Sequence, residues 1–103
     1  SVDILLKDQE ELKLAGFSVR VIHTPGHTPG GCCYYFYENS VLFSGDTLFC
    51  ESVGRTDFPG GNGRELMGSV RSLLQNLPEE TRVLPGHECE TTIAHEKQYN
   101  PYA

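Results

Sequence analysis

Three short turns constrain this chain of 103 residues more than any other feature. Thr24-Pro25-Gly26-His27-Thr28-Pro29-Gly30, Ser44-Gly45-Asp46 and Pro85-Gly86-His87 each come directly after an apolar, strand-like run. Glycine and proline beside each histidine or aspartate let the backbone turn sharply, so that an imidazole or a carboxylate is held over the end of a strand. Neutral imidazole nitrogen and carboxylate oxygen suit Zn²⁺ or Fe²⁺. His27, Asp46 and His87 are therefore the candidate metal ligands, and together they amount to half a metal site.

The stretches between these turns read as short strands and two helices. Glu11 to Leu14 and Phe17 to Ile22 flank Ala15-Gly16 as a hairpin, with Phe17, Val19 and Val21 on one side and Ser18 and Arg20 on the other. Gly31 to Tyr37 and Ser40 to Phe43 flank Glu38-Asn39 as a second hairpin, whose outgoing strand delivers Asp46. Residues 51–63, with Gly54, Pro59, Gly60, Gly61 and Gly63, read as a long loop that frames the site. Leu66, Met67, Val70, Leu73, Leu74 and Leu77 recur at helical spacing, with Asn62 or Gly63 near the start and Pro78 beyond the end. Arg82 to Leu84 form a strand, and Thr91 or Thr92 caps a last helix that stops near Asn100 because Pro101 follows. The expected fold class is α/β, a mixed sheet with two helices on one face.

Composition narrows the function. A net charge of −6, with eight Lys and Arg scattered along the chain, argues against nucleic acid as a partner. No apolar run approaches the roughly 18 residues of a membrane helix, and Ser1-Val2-Asp3-Ile4 lacks the basic and apolar regions of a signal peptide. No membrane partner and a cytoplasmic location are expected. With 38% hydrophobic and 21% charged residues the chain has the composition of a folded protein, and residues 1–103 are expected to form a single domain. Cys32 and Cys33, adjacent in a strand, point to opposite faces, while Cys50 and Cys89 sit near the candidate ligands. The expectation is reduced, mostly packing thiols, set against a disulfide framework or a cysteine-based zinc site.

The TPGHTPG run, the SGDTLF run followed by Gly54-Arg55-Thr56-Asp57, and the LPGH run resemble the metallo-β-lactamase superfamily, most of all its glyoxalase II-like hydrolases. The resemblance extends in order from about Asp3 to Asn100-Pro101. The family's His-x-His-x-Asp-His motif lies upstream of these runs, and residues 1–22 contain no histidine. The resemblance thus implies half of an αββα sandwich, the C-terminal half, with the N-terminal half absent. It also implies that His27 completes the shell of one metal, His87 that of the other, and Asp46 bridges them as the catalytic carboxylate of a two-zinc site, with iron the alternative. In such an enzyme the metals polarise a carbonyl and supply hydroxide at neutral pH, so the implied reaction is hydrolysis of a small-molecule thioester or similar carbonyl compound.

Arg55 either orients an anionic substrate or pairs with Asp57. Gly54-Arg55-Thr56-Asp57 is also similar to the loop of persulfide dioxygenases, mononuclear iron relatives in which only the equivalents of His27 and Asp46 from this half bind metal. His23 is expected to pack or support a neighbour, and His95 to be a solvated or packing residue. Half of a two-layer fold leaves an apolar sheet face uncovered, so the chain is expected to need an N-terminal half-domain or a second copy. A metal-free, self-associating module is the reading from a different functional class.

Overall fold

The computed structural model describes residues 8–57, 60–86 and 89–103. Strands β1 (Glu11–Leu14) and β2 (Phe17–His23) are joined by Ala15 and Gly16, whose φ angles are 48° and 86°. Positive φ at both central positions matches the twist of the paired strands and so gives a tight hairpin. Strands β3 (Cys32–Phe36) and β4 (Val41–Gly45) make the second hairpin. A short ribbon, β5 (Leu48–Phe49) with β6 (Ser52–Val53), then leads to helix α1 (Gly63–Asn76), strand β7 (Arg82–Pro85), strand β8 (Thr91–Thr92) and helix α2 (Ile93–Tyr99).

The main sheet has the order β1-β2-β3-β4-β7-β8, with β4 and β7 parallel and the other pairs antiparallel. A parallel pair needs a long crossover, which the ribbon and α1 provide. Register places Ile22 beside Cys33, and Tyr35, Leu42 and Val83 in one row across the sheet. That face packs against Leu66, Val70, Leu73, Leu74 and Leu77 of the α1 segment and Ile93 of α2. Asn62 caps α1 by accepting the Glu65 N–H at 3.0 Å, and Thr92 caps α2 by accepting the His95 N–H at 3.1 Å. Among the described residues no helix is long and apolar enough to cross a membrane.

The opposite face is apolar too. Val21, Tyr34, Phe43 and Leu84 share a row there. Phe17, Phe36 and Phe43 meet edge to face, with ring centres 5.9 and 5.2 Å apart. Phe17 and Phe43 are 47% and 42% exposed although the sheet positions beside them are apolar. Both helices lie on one side, as expected, and the second side lacks a helical layer among the described residues.

The structure departs from the sequence reading in the segment read as one long loop, because Ser52–Val53 pairs with Leu48–Phe49. The ribbon turns at Cys50-Glu51, with Glu51 in the left-handed region at φ 56°. Its N–H is tied to Glu96 Oε1 at 2.8 Å, a bond to α2 that compensates for the unfavourable backbone.

Replacing Leu73, 2% exposed at the centre of the helix–sheet interface, with alanine is expected to cost about 2–5 kcal/mol. Asn62→Ala should cost about 1 kcal/mol through the lost cap. Urea unfolding of the two variants checks both the size and the order.

Candidate metal centre

The turn after β2 is clamped before it reaches His27. Thr24 is buried, its N–H bonds the Gly31 carbonyl at 2.8 Å, and its hydroxyl meets Thr47 Oγ1 at 3.0 Å and Cys33 Sγ at 3.4 Å. Ser69 Oγ of α1 donates to the Pro25 carbonyl at 2.8 Å, and the Asn62 N–H donates to the Gly26 carbonyl at 2.7 Å. Gly26 has φ 140°, and a Cβ there would overlap the Leu66 backbone. Only glycine permits both this conformation and this contact with α1. His27 therefore leaves a turn fastened to the sheet and to the helix.

Asp46 is aimed by an irregularity in β4. Phe43 pairs with Leu84 but Gly45 with Pro85, so one extra residue is accommodated at Ser44. Ser44 is buried, its hydroxyl donates to the Leu48 carbonyl at 2.7 Å, and its own carbonyl accepts the Thr47 N–H at 3.0 Å. Asp46 sits within this turn, and its Oδ2 lies 3.5 Å from His27 Nε2.

The protonation of His27 follows from its other nitrogen. Nδ1 lies 2.8 Å from the Arg55 carbonyl oxygen, which only accepts, so Nδ1 is the donor. In the neutral ring Nε2 then carries the lone pair and faces a carboxylate oxygen. Their 3.5 Å separation is longer than an N–H···O hydrogen bond. It is close to the roughly 3.3 Å between two donors that share a tetrahedral ion at about 2.0–2.1 Å from each. The pair fits a divalent cation between them. Gly54 makes this possible: a Cβ there would overlap the Asp46 carbonyl and come within 3.2 Å of His27 Nδ1.

His27, Thr28, Cys32, Gly45, Asp46 and Thr47 line an open depression of about 280 Å³. The chain returns to it at the end of β7, where the Gly86 N–H bonds the Gly45 carbonyl at 2.9 Å. A Cβ on Gly86 would stand 3.6 Å from Asp46 Oδ1. His87, the next residue and the third candidate ligand, lies outside the described residues.

Arg55 enters in a way its side chain does not announce, since its carbonyl orients His27. Its guanidinium makes a two-pronged pair with Asp57, Nε to Oδ1 at 3.0 Å and Nη2 to Oδ2 at 3.3 Å. That pair holds the Asp57 carboxyl below its ordinary pKa and raises that of Arg55. The Arg55 side chain lines a separate depression of about 560 Å³ with Thr56, Asp57, Met67 and Tyr102. His23 ends β2 beside Cys32, with its N–H on Asp8 Oδ1 at 2.8 Å. Cys33 is a packing thiol, its pKa pushed up to about 11 by burial against the partial relief of the Thr24 and Thr47 hydroxyls. The contacts of Gly54 and of the Arg55 carbonyl were not readable from the sequence, where Gly54 counted as a loop former and as part of the Gly54-Arg55-Thr56-Asp57 run.

Gly54→Ala is expected to weaken any divalent-cation binding at the His27–Asp46 pair about 10–100-fold by displacing the partner that orients His27, measured by competition with a chromophoric chelator. Because the Cys33 thiolate forms only as pH rises toward about 11, alkylation of this thiol at pH 8 should require unfolding. Mass spectrometry of the native and urea-treated chain checks this.

Residues 1–87 match the metallo-beta-lactamase superfamily. The chain is 41% identical to hydroxyacylglutathione hydrolase GloC of Haemophilus influenzae, over 99% of its own length and 51% of that protein. It superposes on a B3 metallo-beta-lactamase, BLEG-1, with a TM-score of 0.89 and 45% identity, covering 97% of this chain and 48% of that one. The di-iron-bound form of TTHA1623 gives a TM-score of 0.84 and 43% identity, covering 95% and 47%. The chain spans about half the length of the relatives it matches. By its sequence match and its fold, this chain belongs to the metallo-beta-lactamase superfamily.

Proposed function

We propose that this chain is the C-terminal half of a glyoxalase II-like, metal-dependent hydrolase that cleaves a small-molecule thioester. The observation that carries the reading is the 3.5 Å spacing of His27 Nε2 and Asp46 Oδ2, with His27 Nδ1 already committed to the Arg55 carbonyl. On this reading His27 would hold one cation and His87 a second, with Asp46 available to both. Zinc is the proposed metal and iron the alternative outcome of metal analysis, since one solved relative is di-iron-bound. The name of the relative from H. influenzae, a hydroxyacylglutathione hydrolase, supports a thioester substrate.

A bound divalent cation would polarise the substrate carbonyl and acidify water beside it. The chain's own residues do the positioning. The Thr24–Thr47 hydrogen bond and the Gly26 contact hold the His27 turn, and the Ser44 irregularity aims Asp46. Asp46 contributes the negative charge that lets two cations sit close together. An anionic substrate group reaching the Arg55 guanidinium would meet it already paired with Asp57 through Nε and Nη2. The pair with Asp57 is thus the role of Arg55 that a contact supports.

The proposed partner is the N-terminal half of the fold, in preference to a second copy. The relatives are about twice as long as this chain, and the Phe17, Phe36 and Phe43 face offers an apolar surface for that half to cover. The four free cysteines fit a reducing, cytoplasmic setting.

The test is hydrolysis of a glutathione thioester by metal-loaded protein that carries this chain together with the complementary half. Asp46→Asn and His27→Ala should each lower kcat/KM by at least about 100-fold, and a chelator should abolish turnover. Full activity in either variant, or activity indifferent to the chelator, would sink the proposal.

A further inference from the structure

A second group of metal-binding side chains gathers where the β5–β6 turn meets α2. A sulfur of Cys50, a ring nitrogen of His95 and a carboxylate oxygen of Glu96 all lie within 4.8 Å of one another. Cys89 lies next to the Cys50 thiol, outside that group of three, and is the largest cause of a raised pKa at Cys50. Glu51 joins at the rim, with Oε2 2.8 Å from His95 Nε2. His95 packs as expected, its ring centre 4.8 Å from that of Tyr99, and it is also paired with Glu51.

Glu96 supplies an independent reason to look for a cation. Its side chain is 0% exposed. Oε1 accepts the Glu51 N–H and Asn100 Nδ2, both at 2.8 Å, and Oε2 accepts Thr91 Oγ1 at 2.7 Å. All three donors are neutral, and among the described residues no Lys or Arg pairs with this carboxylate. Buried charges are ordinarily matched by an opposite charge or a metal ion. Two thiols and an imidazole beside a carboxylate match the preferences of Zn²⁺ rather than those of Mg²⁺ or Ca²⁺.

We propose that Cys50, Cys89, His95 and Glu96 form a second cation site, separate from the one at His27 and Asp46, that takes a thiophilic divalent ion such as Zn²⁺. Donors around such an ion stand about 3.3–3.8 Å apart, so rotation of the half-buried Cys50 and His95 side chains closes the site. The ion would join three segments distant in sequence: the β5–β6 turn, the stretch after β7 and α2. Cys89 lies two residues beyond His87, so the same ion would also anchor the chain next to the third candidate ligand of the first site.

Cadmium is the probe, because a thiolate–Cd²⁺ bond adds an ultraviolet charge-transfer band that oxygen and nitrogen ligands lack. The reduced protein titrated with Cd²⁺ should develop that band, and a variant combining His27→Ala with Asp46→Asn should retain it. Cys89→Ser, at an exposed position, and His95→Gln should lose most of it while the far-ultraviolet circular dichroism stays unchanged. Absence of the band in the parent chain, or its persistence in both Cys50→Ser and Cys89→Ser, would overturn the proposal.

Discussion

The close approach of the loop after β6 to the end of β4 is the contact on which the rest of this site depends. Gly54 lies so near the Asp46 carbonyl that no side chain fits between them. Its neighbour Arg55 thereby presents a carbonyl to His27 Nδ1 at 2.8 Å. A carbonyl cannot donate, so this single bond selects the tautomer and leaves Nε2 with the lone pair that a proposed ion would use. Without it the ring could rotate, and the spacing to Asp46 would carry no chemical meaning. A backbone group far along the chain thus decides what a side chain can bind.

Around that contact the sheet works as a rigid frame. Its helix-facing side is filled by Leu66, Val70, Leu73, Val83 and Ile93, each no more than 2% exposed, which fixes β4 and β7 side by side and brings their ends together. Its other side is also apolar, with Val19 and Val21 fully buried and Phe17 and Phe43 well exposed. Apolar strands on both faces are the pattern of a sheet that lies inside a layered fold. Stability and function point the same way here, since the layer that would cover this face is also expected to complete the metal shells.

Much of the architecture was legible because its signals are local. A two-residue turn at Ala15-Gly16, apolar spacing from Leu66 to Leu77 with Pro78 behind it, and a threonine before the last helix each act within a few residues. What escaped depends on partners far away. The left-handed Glu51 turn is held by Glu96, 45 residues along the chain, so a segment composed like a loop contains a strand. The orienting role of Arg55 belongs to its backbone, on which side-chain chemistry is silent. His27 and Asp46 stood out from their turns as candidate donors, and their 3.5 Å separation needed the fold. Cys50 was read as lying near the candidate ligands and His95 as solvated or packing, and only α2 docking on the β5–β6 turn makes them neighbours.

The central claim is that His27 Nε2 and the Asp46 carboxylate hold one ion between them. Anomalous diffraction at the zinc edge, from crystals of the zinc-loaded protein, tests it most directly. The account predicts a peak about 2.0–2.2 Å from both atoms, with His27 Nδ1 still bonded to the Arg55 carbonyl. Zinc found elsewhere with this gap left empty, or bound through Nδ1 with the ring turned over, would contradict it.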